Sequence, residues 1–497
     1  AIIGAGIAGL SAGCYLRMNG YETTIFESHN LPGGLCTSWN RKGFTVDGCV
    51  HWLVGSRPGN SLHQMWQELG VLENMTFVDH DVYLDVHFAD APPVVLYTDL
   101  DRLREHLMAR APEDRAVIDD FVSGARAMAR LDLSPIEPDE TTPWYRKFMT
   151  LMRNARSLPA VLRYDRVSVD DFAARFKNPH LREAFGQFFL PGMPLVFMLA
   201  TFGWLHDHNA GYPVGGSAGL ARRIEKRYLD LGGQIRYRSR VSQILVEQGR
   251  AVGVRLEDGS DIRADDVVPA GDLHAVTHEL TDIQELRVAV ESRTASLEPF
   301  PGLVLIGLGI EGLVPEAVRS VSGTSLPLAT PIVAGPLHLT RFTFHAFDHD
   351  PGLAPPGHLA AVAMLGGDYA WWEELSADRM AYLDEKNRLA ESVVAALDTF
   401  SPGLSSRIRM VDVATPHTFR RYTGNFRGSF EGWLPTPRNY RTQLPCRFPE
   451  VQRLFFAGHW LIPGGGLPPA AYSGRHVACL MCQRDGRRWV ATVPQGT

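Results

Sequence analysis

Long apolar runs are missing from this 497-residue sequence. A membrane-spanning helix needs about 20 consecutive, mostly apolar residues. The nearest approach, the uncharged stretch 188–205, is interrupted by Pro191, Gly192 and Pro194, which break or weaken a helix. No transmembrane segment is therefore expected. Cysteine is scarce as well: Cys14, Cys36, Cys49, Cys446, Cys479 and Cys482 are too few to staple a chain of this length, which argues for a reducing, cytoplasmic setting. Nor is there an excess of positive charge. Lys+Arg number 49 against 55 Asp+Glu, a net −6, so no global field gathers phosphate backbones and no nucleic-acid partner is expected. With 45% apolar and 21% charged residues the chain is too hydrophobic for disorder and has the material for a large core.

What is present is a pattern of glycines. Gly4-x-Gly6-x-x-Gly9 follows Ala1-Ile2-Ile3 and precedes a Pro-free stretch 10–19, then Gly20, then Thr23-Thr24-Ile25-Phe26 and Glu27. That order reads as strand, tight turn, helix, strand, acid, the frame of a dinucleotide site. Gly4 permits the turn, Gly6 lets a pyrophosphate approach the backbone, and Gly9 lets the helix close on the strand. Ile7 and Ala8, between the second and third glycines, are cofactor-binding candidates with them, and the helix N-terminus offers free amides and about half a positive charge to phosphates. Glu27 can accept hydrogen bonds from both hydroxyls of a ribose. Three residues before the first glycine are short for a strand, which commonly has about five or six, so residues upstream of Ala1, with any targeting signal in them, are expected. A second match, Gly307-x-Gly309-x-x-Gly312, follows the apolar run 303–306. Pro315 interrupts its would-be helix and no acid follows at the right distance, so it reads as a strand-end turn.

The segment after Glu27 separates FAD from NAD. Leu31-Pro32-Gly33-Gly34-Leu35-Cys36-Thr37 places a second glycine pair where its amides can reach the same pyrophosphate from the other side, which suits FAD lying extended. Taken alone, Gly33-Gly34 would be an ordinary turn. A third element lies far along the chain: Leu454-Phe455-Phe456 as a strand, Ala457-Gly458-His459-Trp460, the glycine run 464–466 with Leu467 and two prolines, and a helical run 470–482. Glycines let backbone meet a flat ring, and the positive helix end at Gly466 and Leu467 suits a flavin edge that gains negative charge on reduction.

These motifs, GAGIAGLSAG, Glu27, PGGLCTSWNRKGFTVDGCVHWL and AGHWLIPGGGLPPAAYSGRHVA, resemble those of the phytoene desaturase, carotenoid isomerase and retinol saturase family of FAD-dependent oxidoreductases, within the flavin amine oxidase superfamily. The glycine turn at 215–220, the strand pair 241–246 and 251–256, Asp350-Pro351 and Arg421-Tyr422-Thr423-Gly424-Asn425 are also similar to it. The resemblance implies an α/β fold in which a Rossmann-type FAD-binding domain (1–75, 215–280 and 440–497) is interleaved with a mixed sheet-plus-helix substrate domain (76–214 and 281–439). It further implies that Val241 meets the adenine through its backbone, and that Gly458, His459 and Leu467 line the ribityl chain and ring. Relatives often carry an acid where His459 stands, so this contact departs from the family.

Flavin chemistry asks little of side chains: the protein desolvates the substrate, aims a carbon and manages a proton. His51, which follows the segment passing the flavin, and Arg421, Tyr422 and Tyr472, placed near the ring by resemblance, are the catalytic candidates. Each is also readable as a satisfied structural polar group. His206-x-His208 would put two imidazoles on one face of a strand, but further ligands are missing, and Cys479-x-x-Cys482 falls inside a helix, so no metal is expected. The stretch 188–205, with Phe172, Phe176, Phe185 and the segment 144–152, is heavily aromatic. It forms either the core of a helical subdomain or the wall of a tunnel for a long apolar substrate, opening at a membrane surface. Peripheral membrane contact is thus a further expectation. The competing readings are an amine-oxidase-like enzyme and a lipid-binding chaperone of prenylated GTPases, the latter disfavoured because every cofactor glycine is present.

Overall fold

Short apolar segments with glycine behind them become parallel strands because a sheet buried on both faces wants uninterrupted apolar residues. In the computed structural model, which describes residues 1–132, 138, 142–314 and 322–494, Gln234–Arg236, Thr24–Phe26, Ile2–Ile3 and Val268–Pro269 form a parallel sheet in that order. Segment 454–457 extends it: Leu454 bridges Val267 in parallel, Phe455 N donates to Val267 O at 3.0 Å and Ala457 N to Pro269 O at 3.1 Å. Three distant parts of the chain therefore build one sheet.

The first helix, Ile7–Met18, is buried along most of its length and packs on helices Gly216–Asp230 and Leu467–Arg484. Glycines allow the approach, since a Cβ at Gly474 would fall 2.4 Å from Ala12 N and one at Gly13 would fall 2.6 Å from the Tyr228 ring. A buried ion pair fastens the same bundle: Glu68 accepts from Arg475 Nε at 3.3 Å and from the Tyr15 hydroxyl at 2.7 Å. Removing one partner would leave a charge in the core, which costs about 3–5 kcal/mol.

The second sheet has seven strands in the order Ile408–Ala414, Gly302–Glu311, His358–Gly367, Leu337–Ala346, Thr324–Ala334, Val82–Val86 and Val94–Tyr97. It is mixed, because Thr324–Ala334 runs parallel to Val82–Val86 and the other pairs are antiparallel. Helix Arg379–Phe400 covers one face. The architecture is α/β, as the sequence predicts. The second glycine triplet is not a strand-end turn throughout, since Gly307 and Gly309 lie inside strand Gly302–Glu311. A Cβ there would meet Val46 at 2.5 Å and the Phe44 ring at 2.7 Å, so these glycines admit strand Phe44–Asp47 against the sheet.

The aromatic segments divide. Phe121, Phe172, Phe176, Phe185 and Phe202 are buried together among the helices. Pro194 caps helix Leu195–His206, so His206 ends a helix and does not share a strand with His208, contrary to expectation. Its Nδ1 accepts instead from Leu100 N at 3.3 Å. Segment 144–152 belongs neither to that core nor to a tunnel wall. Helix Trp144–Arg153 buries none of its residues and leaves Trp144 79% exposed, with Phe148 and Met149 open beside it.

Candidate active site

Between the two sheets lies a cavity of about 1610 Å³, larger than the roughly 300–1,000 Å³ that holds one small ligand. Gly4, Gly6, Ile7, Ala8, Glu27, Gly33, Gly34, Leu35, Cys36 and Val241 line one part of it, and Gly458, His459, Gly466, Leu467, Tyr472 and His51 another. Gly9 lies behind the wall: a Cβ there would sit 2.0 Å from Gly4 O, the close helix-to-strand packing expected of it.

Backbone makes the first part. Gly4 and Gly33 have φ of +96° and +117°, a region that favours glycine. Gly33 N donates to Ala5 O at 2.8 Å, which brings the second glycine pair against Gly6. The Gly6 N-cap supplies no side chain to the helix, and the first turn holds no acid, leaving its amides for an anion. Glu27 is buried and accepts from Ala5 N at 2.6 Å and His29 N at 2.7 Å. Ser28 Oγ also donates to Oε1 at 3.2 Å, so Oε2 keeps the spare lone pair that a ribose hydroxyl could use. Helix Leu467–Arg484 likewise starts at an uncapped Gly466 with φ +87° and no acid in its first turn. An acid with a spare acceptor site, the open helix end after Gly6, the Leu467 amide at the start of the last helix and a glycine cradle fit FAD.

Side chains set the second part. His51 stacks on His345 with centroids 4.1 Å apart, and burial, with the neighbouring imidazoles, holds it well below the usual histidine range. His459 is pushed down to about 4 by burial, and its Nε2 has no partner among the described residues. Tyr472 is buried with its hydroxyl pushed up by desolvation. Arg421 does not line the cavity. Its guanidinium lies over the Tyr422 ring at 4.7 Å and donates to the Tyr422 hydroxyl at 3.1 Å, while Tyr422 meets His29 edge-on at 5.7 Å. Tyr422 lines the cavity, and its contact with His29 puts the pair near Glu27, whose carboxylate accepts from His29 N.

Sequence reasoning missed several buried polar groups. Asp272, pushed up to about 7 by burial, accepts from the backbone of Phe426 and from His274 N at 2.7 Å. His345, His80 and His349 gather around His51 and Tyr212. Asp47 binds Ser217 N at 2.7 Å and so ties strand Phe44–Asp47 to the glycine turn at 215–217. Glu431 lines the cavity beside the glycine run. Asp47 lies inside the motif 32–53 without being singled out there, and the others sit in no motif that would have marked them.

The family of flavin containing amine oxidoreductases matches residues 7–482. The chain belongs to that family. A chloroplastic prolycopene isomerase of Daucus carota is 25% identical over 95% of this chain and 78% of its own length. A neurosporene-forming phytoene desaturase of Cereibacter sphaeroides is 24% identical over 96% and 93%. A crystal structure of an oxidoreductase from Methanosarcina mazei superposes with a TM-score of 0.58 at 18% identity, covering 95% of this chain and 98% of that one, which concerns the fold alone. The protein is an FAD-dependent oxidoreductase of this flavin amine oxidoreductase family. Among the described residues, no helix is long and apolar enough to cross a membrane.

Proposed function

We propose that the protein desaturates, saturates or isomerises double bonds of an apolar polyene or isoprenoid-like molecule. The observation that carries this reading is the cavity wall beyond the glycine run, where Phe188, Phe189, Met193, Phe197 and Trp204 continue the same space. In this reading the segments 1–75, 215–280 and 440–497 hold FAD, with Glu27 on the ribose, the amides after Gly6 and around Gly33 on the pyrophosphate, Val241 on the adenine, and Gly458, His459, Gly466 and Leu467 along the ribityl chain and ring. When bound, FAD supplies a two-electron acceptor or donor for hydride. The chain's own work is to exclude water with the aromatic wall, to lay a conjugated chain across the glycine run, and to manage one proton. His51 and His459, both held neutral, add no charge that would repel such a substrate.

The apolar helix Trp144–Arg153 fits this reading as a peripheral membrane contact. It carries no acid, exposes Trp144, Tyr145, Phe148, Met149, Leu151 and Met152, and is followed by Leu158 and Val161, which line the cavity. A lipid-dissolved substrate would enter from that side. The competing reading, oxidation of a polar amine, is prompted by the family's description. Titrating anaerobic holoenzyme with phytoene, prolycopene and a panel of amines separates the two. Polyenes are expected to perturb the flavin spectrum, and product mass distinguishes redox (two hydrogens) from isomerisation (none). Flavin reduction by amines alone, with polyenes silent, would replace our reading.

A further inference from the structure

Seven charged side chains of the described residues line the cavity, and six are engaged. Glu27 and Asp272 accept from backbone amides at 2.6 Å and 2.7 Å. Arg240 faces Glu257 at 3.6 Å, Arg341 faces Glu183 at 2.9 Å and Arg441 faces Asp165 at 2.6 Å, while Glu279 accepts from Arg420. Glu431 differs. Among the described residues nothing donates to its carboxyl or pairs with it, although it lies against the glycine run that would face the ring. A Cβ at Gly466 would fall 3.1 Å from its Oε1, and one at Gly465 would fall 1.8 Å from its backbone oxygen.

The surroundings are apolar. Phe197 closes over Gly464, where a Cβ would meet its ring at 3.0 Å, and Phe430 precedes Glu431 in the wall. Tyr83 is the titratable group that faces the carboxyl and feels its charge. Desolvation alone lifts Glu431 to about 8. Perturbed carboxyls of this kind cluster at functional sites.

We propose that Glu431 is a catalytic acid–base residue that exchanges a proton with a carbon of the bound polyene, a role that rests on the polyene reading above. In desaturation, one substrate C–H bond breaks with its electron pair leaving as hydride to the flavin, the two-electron oxidant. The C–H bond on the adjacent carbon breaks with its pair forming the new C=C bond, and its proton passes to the Glu431 carboxylate. The substrate is oxidised by two electrons, the flavin is reduced by two, and the carboxylic acid releases its proton to water after the product leaves. Saturation runs the same bond changes in reverse, with Glu431 as the acid.

The test compares wild-type, Glu431→Gln and Glu431→Asp holoenzyme at matched flavin content and unchanged Tm. In pH-difference infrared spectra of the resting protein, wild type is expected to show a carboxylic-acid carbonyl band that titrates near pH 8, absent from E431Q and shifted in E431D. In D2O with phytoene or prolycopene, wild type is expected to place solvent deuterium in recovered substrate or product. E431Q should do so about 10²–10⁴-fold more slowly, with partial rescue in E431D. If both polyenes leave the wild-type flavin spectrum unchanged, the substrate reading falls and this proposal with it. If they perturb it while E431Q exchanges deuterium at the wild-type rate, or the titrating band persists in E431Q, the role of Glu431 alone is overturned.

Discussion

The two ends of the cavity are made of different material. Around Gly6, Gly33 and Glu27 the wall is main chain, fixed by turns that only glycine adopts easily and by amides whose directions the helix sets. Around Phe188, Phe197 and Trp204 it is side chain, fixed by packing. Main-chain walls recognise a constant partner, because the backbone cannot be retuned by substitution without breaking the fold. Side-chain walls can be enlarged, narrowed or re-polarised one residue at a time. A family that keeps one cofactor and varies its substrates is best served by this division.

The sharpest way to break that contrast is on the glycine run. Gly465→Ala would drive a methyl to within 1.8 Å of Glu431 O, a backbone atom that cannot swing away. We expect loss of bound flavin during purification, read as the flavin-to-protein ratio; a wild-type ratio would show that this loop does not touch the cofactor. Acid comes next. His345 and His459 are held near 4 and His80 near 3 by burial, whereas the unfolded chain binds their protons below about 6.5. From pH 6.5 down to about 4 the unfolded state therefore carries more protons, and stability falls on acidification by up to about 1.4 kcal/mol per pH unit for each imidazole. Denaturant midpoints of the apoprotein measured across that range should drop, and His345→Phe should flatten the slope.

Glu27→Gln is expected to weaken FAD by about 1.5–3 kcal/mol, ten- to a hundredfold, without unfolding the protein; isothermal titration of the apoprotein measures it. Phe197→Ala should leave the flavin ratio unchanged and alter polyene affinity by about 1–3 kcal/mol, visible in the flavin spectrum. If Phe197→Ala strips FAD, the two walls are not independent. The smallest effect on the folded protein belongs to the exposed helix. Phe148→Ser with Met149→Ser should shift stability by no more than about 0.5 kcal/mol yet abolish co-sedimentation with anionic phospholipid vesicles.

Much of the main-chain end was legible in the sequence, because a turn with φ of +96° at Gly4 or +87° at Gly466 is encoded by the residue itself. The α/β class came from the family resemblance that these motifs carry. The side-chain end was legible only as composition. Composition marked 144–152 as aromatic-rich but could not say whether those side chains would be covered, since that depends on what packs nearby. Gly307 and Gly309 copied a cofactor motif for another reason, the arrival of Phe44 and Val46 from a distant strand. Glu431 was invisible, because its meaning comes from contact with 464–466 and its own segment is irregular.

The parallel edge at 454–457 carries a consequence for biosynthesis. Its hydrogen bonds to Val267 and Pro269, and the helix behind it that joins Arg475 to Glu68, emerge from the ribosome after the strands they complete. Until they arrive, Ile2–Ile3 and Val268–Pro269 form a sheet with an open side, and the pocket for the ring has no floor. A ligand that seats against both the early glycine turn and this late segment would stabilise the joined sheet over its open form, and so act as a folding ligand.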